Sequence, residues 1–188
     1  MYILKEKIEN ELIIKKSKFI CLLFPVNDID NANNIIKDIK NKYKDATHVC
    51  FAYIIKSNEK CFDDGEPSGT AGLPVLEILK KKEIVNTLAI VIRYYGGIKL
   101  GAGGLIRAYA SSVKESLDKI ELTIYKEYIT IFIKGKLSDS KNLEYLTKDL
   151  NVLNKNFTND ITYEISIEKD NLEKIKNLFH NYKVKQED

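Results

Sequence analysis

Eight of the nine glycines in this chain (Gly65, Gly69, Gly72, Gly96, Gly97, Gly101, Gly103 and Gly104) fall between residues 61 and 110. No other feature constrains the fold as strongly. Glycine permits positive φ and close backbone approach, but it loses more conformational freedom on folding than any other residue. A chain that nearly avoids glycine elsewhere needs unusual backbone geometry in this stretch. Two of the three prolines and both arginines, Arg93 and Arg107, lie in it as well. Every other basic residue except the two histidines is lysine. Arginine offers a planar fork of donors suited to carboxylate or phosphate, which lysine cannot copy. The functional surface is therefore expected here.

Taken in order, residues 2–26 read as a strand, a tight turn and a second strand, with a break at Glu9-Asn10-Glu11 and an end at Pro25. Lys15, Lys16 and Lys18 around Ser17 fit a solvated strand edge guarded by lysines. Asp28 opens a helix to about Tyr43. Thr47–Ile55 is a strand, and its period of two puts His48 and Cys50 on one face. Lys56–Lys60 reads as a polar turn before a short return strand at Cys61-Phe62.

The segment DDGEPSGTAGLP then feeds a helix over Gly72–Lys82, with Pro74 in its first turn and Ser68 or Thr70 as its cap. A loop rich in glycine and hydroxyls at a helix start is a possible anion site. Asp63, Asp64 and Glu66 complicate that, since carboxylates repel phosphate. One alternative is that Asp64 and Glu66 pair with Arg93 or Arg107 and organise the loops. The run TLAIVIRYY (87–95) is apolar nearly throughout, as in a strand buried on both faces. GGIKLGAGG follows, then a helix over about 105–120 with Leu105, Tyr109, Val113, Leu117 and Ile120 inward. Strand, glycine loop and helix is an arrangement used by phosphate sites, although this loop is neither a Walker loop nor a GxGxxG fingerprint.

After Glu121 only one glycine and no proline remain. The expected order there is β-α-β-β-α: a strand over 124–134, a helix over 139–150 capped by Ser138, strands over 152–157 and 161–168, and a helix from Asp170 to about Tyr182. That is the order of a split βαβ, ferredoxin-like unit. His180 is expected as a charge partner for that last helix terminus. The fold class is α+β in two domains, 1–121 and 122–188.

Other function classes are excluded by what is missing. No apolar run approaches the roughly 20 residues of a membrane helix, and charges at nearly every other position from Met1 to Lys16 argue against a signal peptide. Three cysteines without a CxxC pair fit reduced thiols in a cytoplasm. The H-x-C pair at His48 and Cys50 has no partners at zinc spacing, and no metal or cofactor is expected. A net charge of +3 permits a basic patch but not a nucleic-acid-binding tail.

The segments DDGEPSGTAGLPVLEIL and VIRYYGGIKLGAGGLIRAY resemble the signature of the IMPACT family, called the YigZ family in bacteria. KSKFIC near the start and DATHVCFAY at 45–53 support the match, which runs through about residue 120. The remainder resembles the small ferredoxin-like domain of bacterial members, itself similar to an elongation factor G domain. Tyr95 and Lys18 stand where the family commonly has Phe and Arg. The resemblance implies an amino-terminal α+β sandwich of the type shared by a ribosomal-protein domain and the GHMP kinases, and a link to translation. Eukaryotic relatives act by protein contact, dampening a starvation-responsive kinase at the ribosome. They carry a further amino-terminal domain with no counterpart in this sequence, so that role is not carried over.

Together these readings give an expected function: a translation-associated binding protein, more a binder than an enzyme, that contacts RNA or the ribosome. Arg93, Lys99 and Arg107 would meet phosphates, helped by N–H groups of Gly96, Gly97, Gly101, Gly103 and Gly104. Ser68, Thr70 and His48 would line the same cleft, with Asp63, Asp64 and Glu66 organising it. Two rivals are a protein partner in translation control docked on the glycine stretch, and an enzyme acting on a phosphorylated small molecule. In the second, the three acids would hold Mg²⁺ through water.

Overall fold

The computed structural model describes residues 1–187, which separate into two compact units, 1–125 and 126–187. The first unit is built on a five-stranded antiparallel sheet of β2 (Ile8–Ile14), β3 (Ser17–Pro25), β4 (His48–Ile55), β5 (Asn58–Phe62) and β6 (Thr87–Tyr94). Its order is β2-β3-β6-β4-β5. The apolar run beginning at Thr87 forms the central strand and is buried on both faces.

Alternation along the three inner strands feeds two cores. Cys21, Cys50, Ala52, Ala89 and Val91 face α2 (Gly72–Lys81) and α3 (Ala102–Leu117). Leu22, Phe51, Tyr53, Ile90 and Ile92 face α1 (Ile29–Lys42). The result is a helix–sheet–helix sandwich. Asp28 caps α1, its carboxylate accepting from Asn31 N–H at 2.7 Å.

Two local expectations are corrected. Glu9-Asn10-Glu11 does not interrupt a strand: it lies within β2, an edge strand whose burial alternates and whose two glutamates point outward. The tight turn is Lys15-Lys16, with φ of 46° and 64°, a pair of left-handed residues whose twist suits a two-residue hairpin. Tyr2–Ile3 (β1) and Thr123–Ile124 (β7) form a separate antiparallel pair. The boundary expected after residue 121 lies ahead of this pairing, which keeps residues up to Tyr125 with the first unit.

The second unit contains β8 (Tyr128–Lys136), α4 (Ser140–Thr147), β9 (Asn151–Phe157), β10 (Asp160–Glu168), α5 (Leu172–Leu178) and β11 (Lys183–Gln186). Its antiparallel sheet has the order β11-β8-β10-β9, a ferredoxin-like arrangement. The strand Lys183–Gln186 completes the motif and was not expected, because KVKQ carries a single apolar residue. Neither Ser138 nor Asp170 caps a helix. Each helix is entered through a 3₁₀ turn (Leu137–Asp139 and Lys169–Asn171), and in the first of these Asp139 accepts from Lys136 N–H at 3.0 Å. His180 Nδ1 lies 3.0 Å from the Asn177 carbonyl oxygen just beyond α5. No helix among the described residues is long and apolar enough to cross a membrane.

Candidate functional site

The loop between β5 and α2 is held by one carboxylate. Asp63 accepts N–H bonds from Gly69 (2.8 Å), Ala71 (3.0 Å) and Gly72 (2.8 Å). It thus supplies, from nine residues ahead of α2, the cap expected from Ser68 or Thr70. Thr70 is turned away, donating to the Pro67 carbonyl at 2.6 Å. Gly72 allows this closure because a Cβ there would lie 2.6 Å from Phe62 N. Asp64 has its own partners, Lys40 Nζ and Val49 N–H, both at 2.7 Å.

Register then sets Phe19, Arg93 and His48 side by side on adjacent strands β3, β6 and β4. Arg93 is 5% exposed, and its Nη1 donates to Glu66 Oε1 at 2.6 Å. The Tyr109 hydroxyl donates to the same oxygen at 2.8 Å. The Arg93 guanidinium carbon lies 5.5 Å from the ring centroids of both Phe19 and Tyr95. Burial, with the neighbouring Cys50 and Glu66, drives the Tyr109 hydroxyl well above its ordinary pKa and keeps it a donor. The Cys50 thiol donates to the Asp63 carbonyl at 3.0 Å, and burial pushes its pKa up to about 12. His48 Nδ1 donates to the Asp64 carbonyl at 2.8 Å, which turns Nε2 toward Glu66 Oε2, 3.8 Å away.

Above this cluster lies a hollow of about 420 Å³, walled by His48, Glu66, Arg93 and Tyr95 on one side and by Lys99, Leu100, Gly101, Ala102 and Leu105 on the other. A second hollow, of about 300 Å³, shares Leu100 with it and is lined by Ile14, Lys15, Gly104, Arg107 and Ser111. The hairpin tip and the glycine loop are pressed together between them. A Cβ on Gly96 would lie 2.0 Å from the Lys16 carbonyl carbon, and Gly96 N–H donates to the buried Ser17 hydroxyl at 3.2 Å. Gly97 and Gly101 take φ of 83° and 70°, a region that favours glycine.

The expected site residues are therefore not all brought together. Arg93, Lys99, Gly101 and His48 share the larger hollow, whereas Arg107 and Gly104 line the smaller one. Arg93 is not an open phosphate fork, since Glu66 occupies one arm of it in the interior. Ser68 and Thr70 line neither hollow. The three acids do not gather as a Mg²⁺ site: five of their six carboxylate oxygens are engaged by N–H groups, Lys40, Arg93 and Tyr109. Among the described residues no cluster of His, Cys, Asp and Glu is placed to hold a metal. The sequence reading missed Tyr95, Leu100 and Leu105 as walls, and Lys15 and Lys16 as cations lying against the glycine loop. The Lys15-Lys16 pair just ahead of Ser17 was the available signal for the latter.

A family model described as the Impact N-terminal domain matches residues 15–117. The IMPACT family member YvyE of Bacillus subtilis is 53% identical over 122 residues, spanning 63% of this chain and 56% of that protein. An IMPACT family member of Haemophilus influenzae is 35% identical over 149 residues, 72% of each chain. YigZ of Escherichia coli is 39% identical over 112 residues, 55% of its length. The match thus spans little more than half of two of these relatives. A crystal structure described as that of a hypothetical protein aligns over 100% of this chain and 97% of its own, with a TM-score of 0.71 at 24% identity. That likeness establishes a shared fold.

Proposed function

This chain belongs to the IMPACT family, and from that membership we propose that it is a translation-associated binding protein that contacts RNA phosphates through the first unit. The family resemblance supplies the translation context. The observation that carries the reading is a group of four cations, Lys15, Lys16, Lys99 and Arg107, around the junction of hairpin tip and glycine loop. Among the described residues none of the four has an acidic partner. Other lysines among the described residues, such as Lys37 and Lys81, also lack an acidic partner. What distinguishes these four is their gathering around the glycine loop, whereas neighbouring Lys18 is paired with Glu11 at 2.7 Å. Unpaired cations beside exposed backbone N–H groups favour a phosphate-led mode with little sequence reading.

The test is co-sedimentation with ribosomes and with bulk transfer RNA across a salt series. The variant is Lys15→Asn/Lys16→Gly/Arg107→Ala, since Asn-Gly suits the left-handed hairpin turn and protects the fold. Binding should weaken, and the salt slope should fall by about 0.7–0.9 for each phosphate no longer neutralised. Unchanged affinity and slope in the folded variant would overturn the reading. Binding that survives nuclease and ignores salt would point to a protein partner in its place.

A further inference from the structure

We propose that the hollow between Tyr95 and the start of α3 is a binding site for one nucleoside monophosphate unit, either free or at the phosphorylated end of an RNA. The two helices fed by glycine loops differ in a telling way. At α2 the first-turn N–H groups are filled by the Asp63 carboxylate, an anion from within the chain. At α3, 16 residues long, no side chain caps the terminus, so its leading N–H groups have no partner within the helix. Gly101 and Ala102 bring this terminus to the wall of the hollow, next to Lys99. An uncapped helix start beside an unpaired ammonium selects an anionic group.

A second observation is independent of the helix. Arg93 lines the hollow, yet its Nε–H is buried without a hydrogen-bond partner. A buried orphan donor calls for an acceptor. Glu66 Oε2 also makes no hydrogen bond, and His48 Nε2 lies 3.8 Å from it. The Asp64 carbonyl holds Nδ1–H, so the uncharged tautomer of His48 has its lone pair at Nε2. The wall of the hollow formed by Glu66, His48 and Arg93 thus holds two acceptor atoms beside one buried orphan donor, a set that suits a hydroxyl- or amine-bearing group.

The remaining wall fits a planar ring. Tyr95 is 45% exposed and is backed by the Arg93 guanidinium, and Pro67, Leu100 and Leu105 provide apolar surface. A volume of about 420 Å³ falls in the range of small-ligand sites, roughly 300–1,000 Å³. Anion at the rim, ring on Tyr95 and hydroxyl or amino donors toward Glu66 and His48 together describe a nucleotide.

Calorimetric titration of the full chain with AMP, GMP, CMP and UMP tests this, beside ribose 5-phosphate, the four nucleosides and inorganic phosphate. At least one monophosphate should bind saturably, about tenfold or more tighter than ribose 5-phosphate and than its own nucleoside. Tyr95→Ala should weaken it by about five- to a hundredfold through lost stacking, and Tyr95→Phe should retain it. Oligonucleotides with and without a 5′-phosphate separate the sources: a Tyr95-dependent preference for the phosphorylated form assigns the RNA end. Absence of saturable binding by every monophosphate and oligonucleotide would overturn the proposal. Parity with ribose 5-phosphate, or wild-type affinity in Tyr95→Ala, would overturn it as well. Lys99 is common to both surfaces, but Lys15, Lys16 and Arg107 take no part here. The Lys15→Asn/Lys16→Gly/Arg107→Ala variant should therefore lose RNA-phosphate binding and keep monophosphate binding, and the two readings fail distinguishably.

Discussion

Arg93 Nη1 meets Glu66 Oε1 at 2.6 Å, with both side chains more than nine-tenths out of solvent. The pair joins the end of the central strand to the loop before α2. Removing one member leaves an uncompensated buried charge, which costs about 3–5 kcal/mol. Glu66→Ala and Arg93→Ala should each lower the urea midpoint of the first unit by a corresponding amount. A double Glu66→Leu/Arg93→Met change should recover much of the loss, because two apolar groups need no partners. Additive losses in the double variant would show that the pair is not coupled.

Asp63 is the next point of weakness. Asp63→Ala strips three N–H groups of their acceptor, and the expected loss is about 3 kcal/mol. Thr70→Ala removes one neutral bond, worth about 1 kcal/mol, and exposed Ser68→Ala should be nearly silent. Amide exchange should quicken at Gly69, Ala71 and Gly72 in the Asp63 variant and stay slow in the Ser68 variant.

Gly96 and Gly97 are adjacent, but they are constrained for different reasons. Alanine at 96 would drive its Cβ into the Lys16 carbonyl, whereas alanine at 97 meets open space but keeps a φ of 83°. Gly97→Ala should cost about 1–2 kcal/mol in backbone strain. Gly96→Ala should cost more, and should shift the NMR resonances of Lys15–Ser17. Equal costs would mean that the hairpin tip yields freely.

Cys21 and Cys50 are buried, and burial pushes both thiols up to about 12, whereas Cys61 is exposed. Iodoacetamide at pH 8 should modify Cys61 in the folded chain, and all three only after unfolding. The raised folded-state values also carry a sign. Their contribution to stability is fully present below the ordinary thiol value of 9.0 and is lost as the pH climbs through about 12. Urea midpoints should therefore decline over that alkaline window.

Much of this architecture was legible because it is written in local pattern. TLAIVIR announces a strand without a solvent face, and Asp28 sits one residue ahead of an amphipathic helix. Other features depend on groups distant in sequence. Asp63 caps a helix nine residues on, a spacing that no local capping rule contains. Lys15 and Lys16 adopt positive φ, for which lysine carries no compositional signal. β11 is a polar edge strand recognisable only once Val184 is seen opposite Ile133. Arginine and glycine enrichment pointed to the stretch that helps wall both hollows, but not to the division of Arg93 and Arg107 between them. That division follows from sheet register and from the face of α3.

The antiparallel pairing of Tyr2–Ile3 with Thr123–Ile124 brings the two ends of the first unit side by side, about 5 Å apart. The unit is in effect a closed ring of chain, cut at one place among several. A circular permutant opened at the Lys56-Ser57 turn, with residues 1 and 125 joined by a few flexible residues, should reach the same sandwich. The order of its elements along the polypeptide is then a matter of history rather than of stability.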